Sequence, residues 1–341
     1  MTNKQDYDWY DVRDFGIEGK GWTDTECYFD RLPARAKEIL SENLWDLSRS
    51  ATGMSVRFVT DAPSIHARWT LRSAQLNEPN FPRAGFSGLD LYIQDEGKWK
   101  WAGTTMNVDS ENAEDTFVDE IPAVPHTCHV NLPLRNPVGA LYIGVPKGYS
   151  FTPIAPRKEA PIIYYGTSIV HGAFASRPGM VQAAILARLL DRPMLNLGFS
   201  GAAKMEIEIA TLLAEQTPSL FIIDPLPNMG ADLVVERAEA FLRMLLDVHP
   251  TVPMVTVEDR TNTNAWIRPQ LMADHKAKRM EWRKILQVLR DEGRNIFSLQ
   301  ADGLFGDDHE ASPDSSHPTD LGFMRMAEKM LPVIQQALSN Q

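Results

Sequence analysis

From Pro161 to the C-terminus, short apolar runs alternate with longer amphipathic stretches, and that rhythm leaves few folds open. The runs IIYY (162–165), MLNL (194–197), LFIID (220–224), MVTVE (254–258) and IFSL (296–299) predict strands. Helical spacing fills roughly 178–190, 203–216, 232–248 and 269–292, and a last helix starts near 319, where Pro332 should kink or interrupt it. Parallel neighbours need crossovers of a dozen residues or more, and helices supply them. The alternation therefore predicts an α/β domain of three layers, α/β/α, around a parallel five-stranded sheet.

The chain before residue 155 has a different character. MSVRFVT, SIHARWTL, LDLYIQ, CHVNLPL and GALYIGVP alternate apolar and polar residues between Gly, Pro, Asn and Asp breaks, and LPARAKEILSENLWDLS is the main helical stretch. Many short strands with polar breaks predict an all-β, jelly-roll-like sandwich over residues 1–154, followed by the α/β domain over 155–341. The Pro- and charge-rich FTPIAPRKEAP (151–161) reads as the hinge between them. Of the tryptophans in the first domain, Trp9, Trp22, Trp45, Trp69, Trp99 and Trp101, most are expected in the core, although such rings also stack on sugars.

Two domains suit a chain of 341 residues that is 43% hydrophobic. A formal net charge of −11 without a Lys/Arg run argues against nucleic-acid and anionic-membrane partners and for a soluble substrate. The N-terminus MTNKQDYDWYDVRDF lacks an apolar signal core and no stretch reaches transmembrane length, so the expected location is cytoplasmic unless a leader has been trimmed. Cys27 and Cys128 are too few and too far apart for a disulfide framework or a zinc cluster, and unpaired thiols are expected. Homo-oligomerisation is left open by the sequence.

In an open parallel sheet, ligands bind beyond the carboxyl ends of the strands. The segments there are GTSIVHG (166–172), GFSGAAK (198–204), PLPNMG (225–230) and, near the C-terminus, DSSHP (314–318). They bring a Ser, a Gly-rich turn, an Asn and an Asp/His pair to one edge, which are the parts acyl transfer requires. Proline disfavours the α conformation for the residue before it, so His317 should be held extended while Pro318 leads into the last helix. Asp314, three residues earlier, can reach His317 Nδ1 and leave Nε2 to accept a proton. GDDHEASPD (306–314) gathers Asp307, Asp308, His309 and Asp314, but its spacing fits no metal-ligand pattern and reads as an acidic solvated loop.

YYGTSIVHGAFASRPGM, LNLGFSG, PLPNMG and DSSHPTDLGF together resemble the SGNH hydrolases, the GDSL-type esterase/lipase superfamily, over roughly residues 161–335. SGLDLY (87–92) and LWDLSRSATG (44–53) are similar to the sandwich-like N-terminal domain of one variant of that superfamily. The resemblance implies Ser168 as nucleophile, His317 as base with Asp314 orienting it, and an oxyanion hole built from Gly201, with Gly198 as its rival, and Asn228. This chain has GTS where many members have GDS, and LPNMG where G-x-N-D is commoner. Singly, Ser168 could be a helix N-cap, Gly201 a turn glycine and Asn228 an Asx-turn residue. Together, in this order after successive strands, they favour catalysis.

What the resemblance implies is a serine esterase that needs no metal or organic cofactor and acts on a small-molecule or oligosaccharide ester, with a short acyl group such as acetyl on a carbohydrate favoured. A lysophospholipase or thioesterase for longer chains is the alternative enzyme, and a non-catalytic carbohydrate-binding protein is the alternative class. His171 and Arg177, in the first block, are candidates for contact with substrate.

Overall fold

The computed structural model describes residues 6–340. The chain divides into two compact units: the first holds the residues up to Pro33, Arg49–Lys158 and Ser176–Gly179, and the second holds Ala34–Ser48, Glu159–Ala175 and the residues from Met180 onward. The chain's first helix, α1 (Glu42–Ser48), is thus part of the second unit.

Among the described residues, nine strands build the first unit: β1 (Tyr7–Asp11), β2 (Ser55–Thr60), β3 (Ile65–Leu71), β4 (Asp90–Asp95), β5 (Lys98–Thr104), β6 (Asn112–Val118), β7 (His126–Asn131), β8 (Val138–Pro146) and β9 (Phe151–Ile154). They pair antiparallel in two sheets, ordered β1-β8-β3-β6 and β5-β4-β7-β2-β9. The expected alternation is clear in β3, where Ile65, Ala67, Trp69 and Leu71 are buried and Arg68 is exposed. Those residues, with Leu141 and Ile143 of β8, meet Val56, Phe58, Leu91 and Val130 of the other sheet in one core. Each Val, Leu, Ile or Phe among them, fully buried, contributes about 1.5–3 kcal/mol. Trp69 also satisfies its indole, donating to Ser87 O at 3.0 Å. Trp22 and Trp45 are buried as expected, whereas Trp101 is 54% exposed.

The stretch expected as a hinge begins as a strand. Strand β9 pairs with β2, with Phe58 opposite Pro153. It lies at the sheet edge, where a proline costs no ladder bond. Phe151 secures it, stacking on Tyr10 at 3.9 Å between ring centroids and on Phe58 at 4.8 Å.

A short helix, α2 (Arg83–Phe86), leads into SGLDLY. Asp90 of that motif is fully buried and accepts from Asn131 Nδ2 at 2.8 Å, Arg177 Nη1 at 2.6 Å and Gly179 N at 2.9 Å. Tyr92 accepts from the same Arg177 nitrogen at 2.6 Å. A Cβ on Gly179 would stand 2.5 Å from Tyr92 Cε2, so only glycine fits this approach.

The second unit is the parallel layer structure that the rhythm predicts. Its strands β10 (Ile162–Gly166), β11 (Met194–Gly198), β12 (Leu220–Asp224), β13 (Met254–Val257) and β14 (Ile296–Leu299) form one parallel sheet in the order β11-β10-β12-β13-β14. The order reverses at β10, so the crevice beyond the carboxyl ends of β10 and β12 is the topological switch point. Every residue of β10, β11 and β12 is buried, as strands covered on both faces require.

The helices are α3 (Ser168–His171), α4 (Gln182–Leu190), α5 (Ile207–Ala214), α6 (Ala231–Val248), α7 (Pro269–Asp291) and α8 (Asp320–Ser339). Helix α5 is shorter than expected because Met205 takes a left-handed φ of 58° and donates its N–H to Tyr165 OH at 3.0 Å. Pro332 does not interrupt α8. The buried face of Phe323, Met326, Met330 and Ile334 holds the helix together across the lost hydrogen bond. No described helix is long and apolar enough to cross a membrane.

Candidate active site

Ser168 opens α3 directly beyond the end of β10. Thr167, the residue that stands in place of the GDS aspartate, caps this helix, its Oγ1 accepting from Ile169 N at 3.4 Å. As the first residue of the helix, Ser168 has an N–H without a partner inside it. Gly172 ends the turn at φ 110°, a conformation that glycine adopts without strain.

The serine meets the C-terminal loop. Ser168 Oγ lies 2.7 Å from His317 Nε2, and His317 Nδ1 donates to Asp314 Oδ2 at 2.7 Å. The other carboxylate oxygen, Oδ1, accepts from the backbone N–H of Ser316 at 3.0 Å and of His317 at 2.8 Å. Burial pushes the Asp314 carboxyl up, but the N–H donors of His317 and Ser316 outweigh it and hold the group below the usual carboxylate range. An ionised Asp314 fixes the imidazole tautomer with its proton on Nδ1 and its lone pair facing the serine. Phe174 packs beside the imidazole, with ring centroids 5.9 Å apart.

Two further loops follow the strands β11 and β12 that flank β10. Phe199 N donates to Gly166 O at 2.9 Å, carrying the β11 loop to the end of β10. The two glycines of this loop differ in their backbones. Gly198 N–H donates to Asn196 Oδ1 at 3.0 Å, and a Cβ there would stand 2.2 Å from His171 N, so this glycine serves close packing. Gly201 has φ 69° and open space where a Cβ would go. Asn228, in the turn after β12, donates Nδ2 to Ala203 O at 3.2 Å, leaving its second amide hydrogen available.

His171 calls for a correction. It is fully buried, with Nδ1 3.1 Å from Ser200 Oγ, so it braces the β11 loop and has no surface to offer a substrate. Arg177 is engaged in the first unit, where its guanidinium binds Asp90 and Tyr92 and lies 5.4 Å from the centroid of Trp101. In the acidic loop, Asp308 pairs with Arg325 at 2.7 Å, and His309 Nδ1 donates to Thr263 O at 2.8 Å.

Sequence reading missed the residues after β13 that brace the catalytic loop. Thr263 N donates to Ser315 O at 2.9 Å, and Asn262 Nδ2 donates to Ser315 Oγ at 3.2 Å. Ser315 itself takes φ 76°, a strained value for a non-glycine residue. Behind them His275 Nδ1 is paired with Asp259, and its Nε2 accepts from Asn262 N at 3.3 Å. The only sequence signal was the polar run EDRTNTN (258–264) at a strand end.

The profile of the GDSL-like lipase/acylhydrolase family matches residues 159–335, and that of GxDLY, the N-terminus of SGNH-hydrolase-type esterases, matches residues 7–151. Among solved structures, a protein described as a GDSL-like lipase from Bacteroides ovatus is similar over 98% of both chains, at 30% identity and a TM-score of 0.93. A salicylyl-acyltransferase from a tetracycline biosynthetic pathway is similar over 97% of both chains, at 18% identity and a TM-score of 0.74. An acetyl xylan esterase from Butyrivibrio proteoclasticus shares the fold over 98% of this chain and 99% of its own, at 12% identity and a TM-score of 0.59. No curated protein matches the sequence. The chain belongs to the GDSL-like lipase/acylhydrolase family: it is an SGNH-type carboxylic ester hydrolase with a GxDLY N-terminal domain.

Proposed function

We propose that the protein hydrolyses short-chain acyl esters, acetyl above all, on a carbohydrate, through an acyl-enzyme on Ser168. The observation that carries this reading is the unbroken chain Ser168 Oγ, His317 Nε2, His317 Nδ1, Asp314 Oδ2, with both links at 2.7 Å. In the acylation step, Ser168 Oγ attacks the ester carbonyl while His317 Nε2 takes the hydroxyl proton. The tetrahedral oxyanion is received by the N–H groups of Ser168 and Gly201 and the free amide hydrogen of Asn228. Collapse expels the alcohol, which leaves with the proton from His317. Water then repeats the sequence on the acyl-enzyme, releasing the acid and restoring Ser168.

The carbohydrate half of the reading draws on the fold shared with the acetyl xylan esterase and on the acidic charge balance of the chain. The test is a p-nitrophenyl ester series from acetate to palmitate, run beside acetate release from acetylated oligosaccharides. Acetate should turn over fastest, with a steep fall beyond butyrate. A maximum at octanoate or longer would overturn the short-acyl reading.

A further inference from the structure

Asn228, to which the reading above gives an oxyanion contact, is oriented from outside its own turn: its side-chain amide donates to Ala203 O at 3.2 Å. That carbonyl and the Lys204 N–H are opposite ends of one planar peptide group, so whatever fixes one fixes the other. Lys204 N donates to Glu206 Oε2 at 3.0 Å, and the same carboxylate oxygen accepts from the Tyr165 hydroxyl at 3.3 Å. The next peptide group is also held at both ends. Met205 N donates to the Tyr165 hydroxyl at 3.0 Å, and Lys204 O accepts from Arg237 Nη1 at 3.4 Å.

Both peptide groups thus converge on one phenolic oxygen. The backbone there needs support, because Met205 is buried at a φ of 58°, a left-handed value that a residue with a Cβ keeps only where its surroundings hold it. Tyr165 is well placed to hold it. It lies in β10, three residues before Ser168, is fully buried, and stacks on Phe241 of α6 at 5.1 Å between ring centroids. Burial and the Glu206 carboxylate push its hydroxyl well above the ordinary tyrosine value. The group therefore stays protonated, accepting from Met205 while donating to Glu206.

We propose that Tyr165 is a positioning residue for ester hydrolysis: its hydroxyl sets the two peptide planes that aim the Asn228 amide at the oxyanion. The role rests on the catalytic reading of Asn228 above and gives it a cause in the strand that carries the nucleophile.

Tyr165→Phe removes one oxygen and keeps the ring. With p-nitrophenyl acetate, kcat should fall about tenfold, a part of the roughly 10²–10³ that loss of an oxyanion donor costs, with little change in KM. Two double variants read what a packing defect would leave unmoved. Added to Asn228→Ala, Tyr165→Phe should cost no further kcat, because the group it positions is gone. Added to Met205→Gly, where a φ of 58° needs no support, it should cost much less than in the parent. A lowered melting temperature with parental kcat, or losses that multiply in both double variants, would overturn the role. Glu206→Ala, at a half-buried position, cuts the other end of the same link and carries the same test against Asn228→Ala if Tyr165→Phe does not fold. Acetate turnover that Ser168→Ala abolishes establishes the catalytic reading independently, and parental kcat in Tyr165→Phe beside it removes only the positioning role. An inactive parent removes the reading and the role together.

Discussion

Asp314 grips His317 twice: one carboxylate oxygen accepts from the imidazole Nδ1 at 2.7 Å, and the other accepts from the histidine's own backbone N–H at 2.8 Å. The orienting group is therefore anchored by the same residue that it orients. Asp314→Asn keeps the shape but offers an amide that can turn its donor toward Nδ1, which flips the tautomer. We expect kcat to fall by as much as about 10⁴-fold with the fold intact, by analogy with serine proteases. Steady-state kinetics beside a circular dichroism melt would check this; near-parental kcat would assign the orienting role elsewhere.

The same carboxylate makes stability depend on pH in a defined direction. Its folded pKa is depressed by the N–H donors of His317 and Ser316, which prevail over burial, so near the ordinary carboxylate pKa the folded chain binds fewer protons than the unfolded one. The stabilisation is present above that pKa and is lost as pH falls through the lower folded value. The urea midpoints of parent and Asp314→Asn should thus differ by a constant amount from neutral pH down to about 5, and converge below about 4. A gap that persists undiminished in acid would contradict this account.

One substitution separates a structural from a catalytic duty of Asn228. Its amide holds Ala203 O at 3.2 Å, so Asn228→Ala should lower the melting temperature by the few degrees that correspond to about 1 kcal/mol. If its second hydrogen also serves the oxyanion, kcat should fall by roughly 10²–10³ with little change in KM. A stability loss with kcat within a few-fold of the parent would restrict the residue to loop structure.

The two glycines of the β11 loop should fail differently. Gly198→Ala drives a methyl group to 2.2 Å from the backbone of His171 and should destabilise or prevent folding. Gly201→Ala meets open space, and its cost is the left-handed φ of 69°, about 1–2 kcal/mol. Relaxing that angle turns the N–H away, so kcat should drop in a protein that still melts cooperatively. Comparing the two melts and rates would check the assignment.

The parallel layer was legible because fully buried strands such as LFIID and helices with one apolar stripe leave a direct imprint on the sequence. The sandwich was legible where one face is buried, as in β3, but not in β1 or β5. All five residues of β1 are half-buried, and β5 carries exposed Lys98 and Lys100. Neither shows the contrast on which alternation depends. Ser168, at the end of β10, and the pair Asp314 and His317, in the loop before α8, could be brought together because each belongs to a short motif. Asn262 and Ser315 could not, because their roles come from a contact between loops about 50 residues apart in the chain. His171 was misjudged for a related reason: proximity to Ser168 in sequence said nothing of the close packing that buries it.

The triple engagement of Asp90 bears on how this polypeptide can be cut. Ser176–Gly179 complete the first unit although the residues on either side of them belong to the second. A fragment ending just after Ile154 would retain Asp90 while losing Arg177 and the Gly179 amide, and so would leave a carboxylate charge in the interior with Asn131 as its remaining donor. Stranding a buried charge costs about 3–5 kcal/mol, a large part of what holds a typical domain together. Shuffling or separate expression of the two units would have to carry SRPG (176–179) along with the first and Ala34–Ser48 along with the second, so no single scission of the chain yields both units whole.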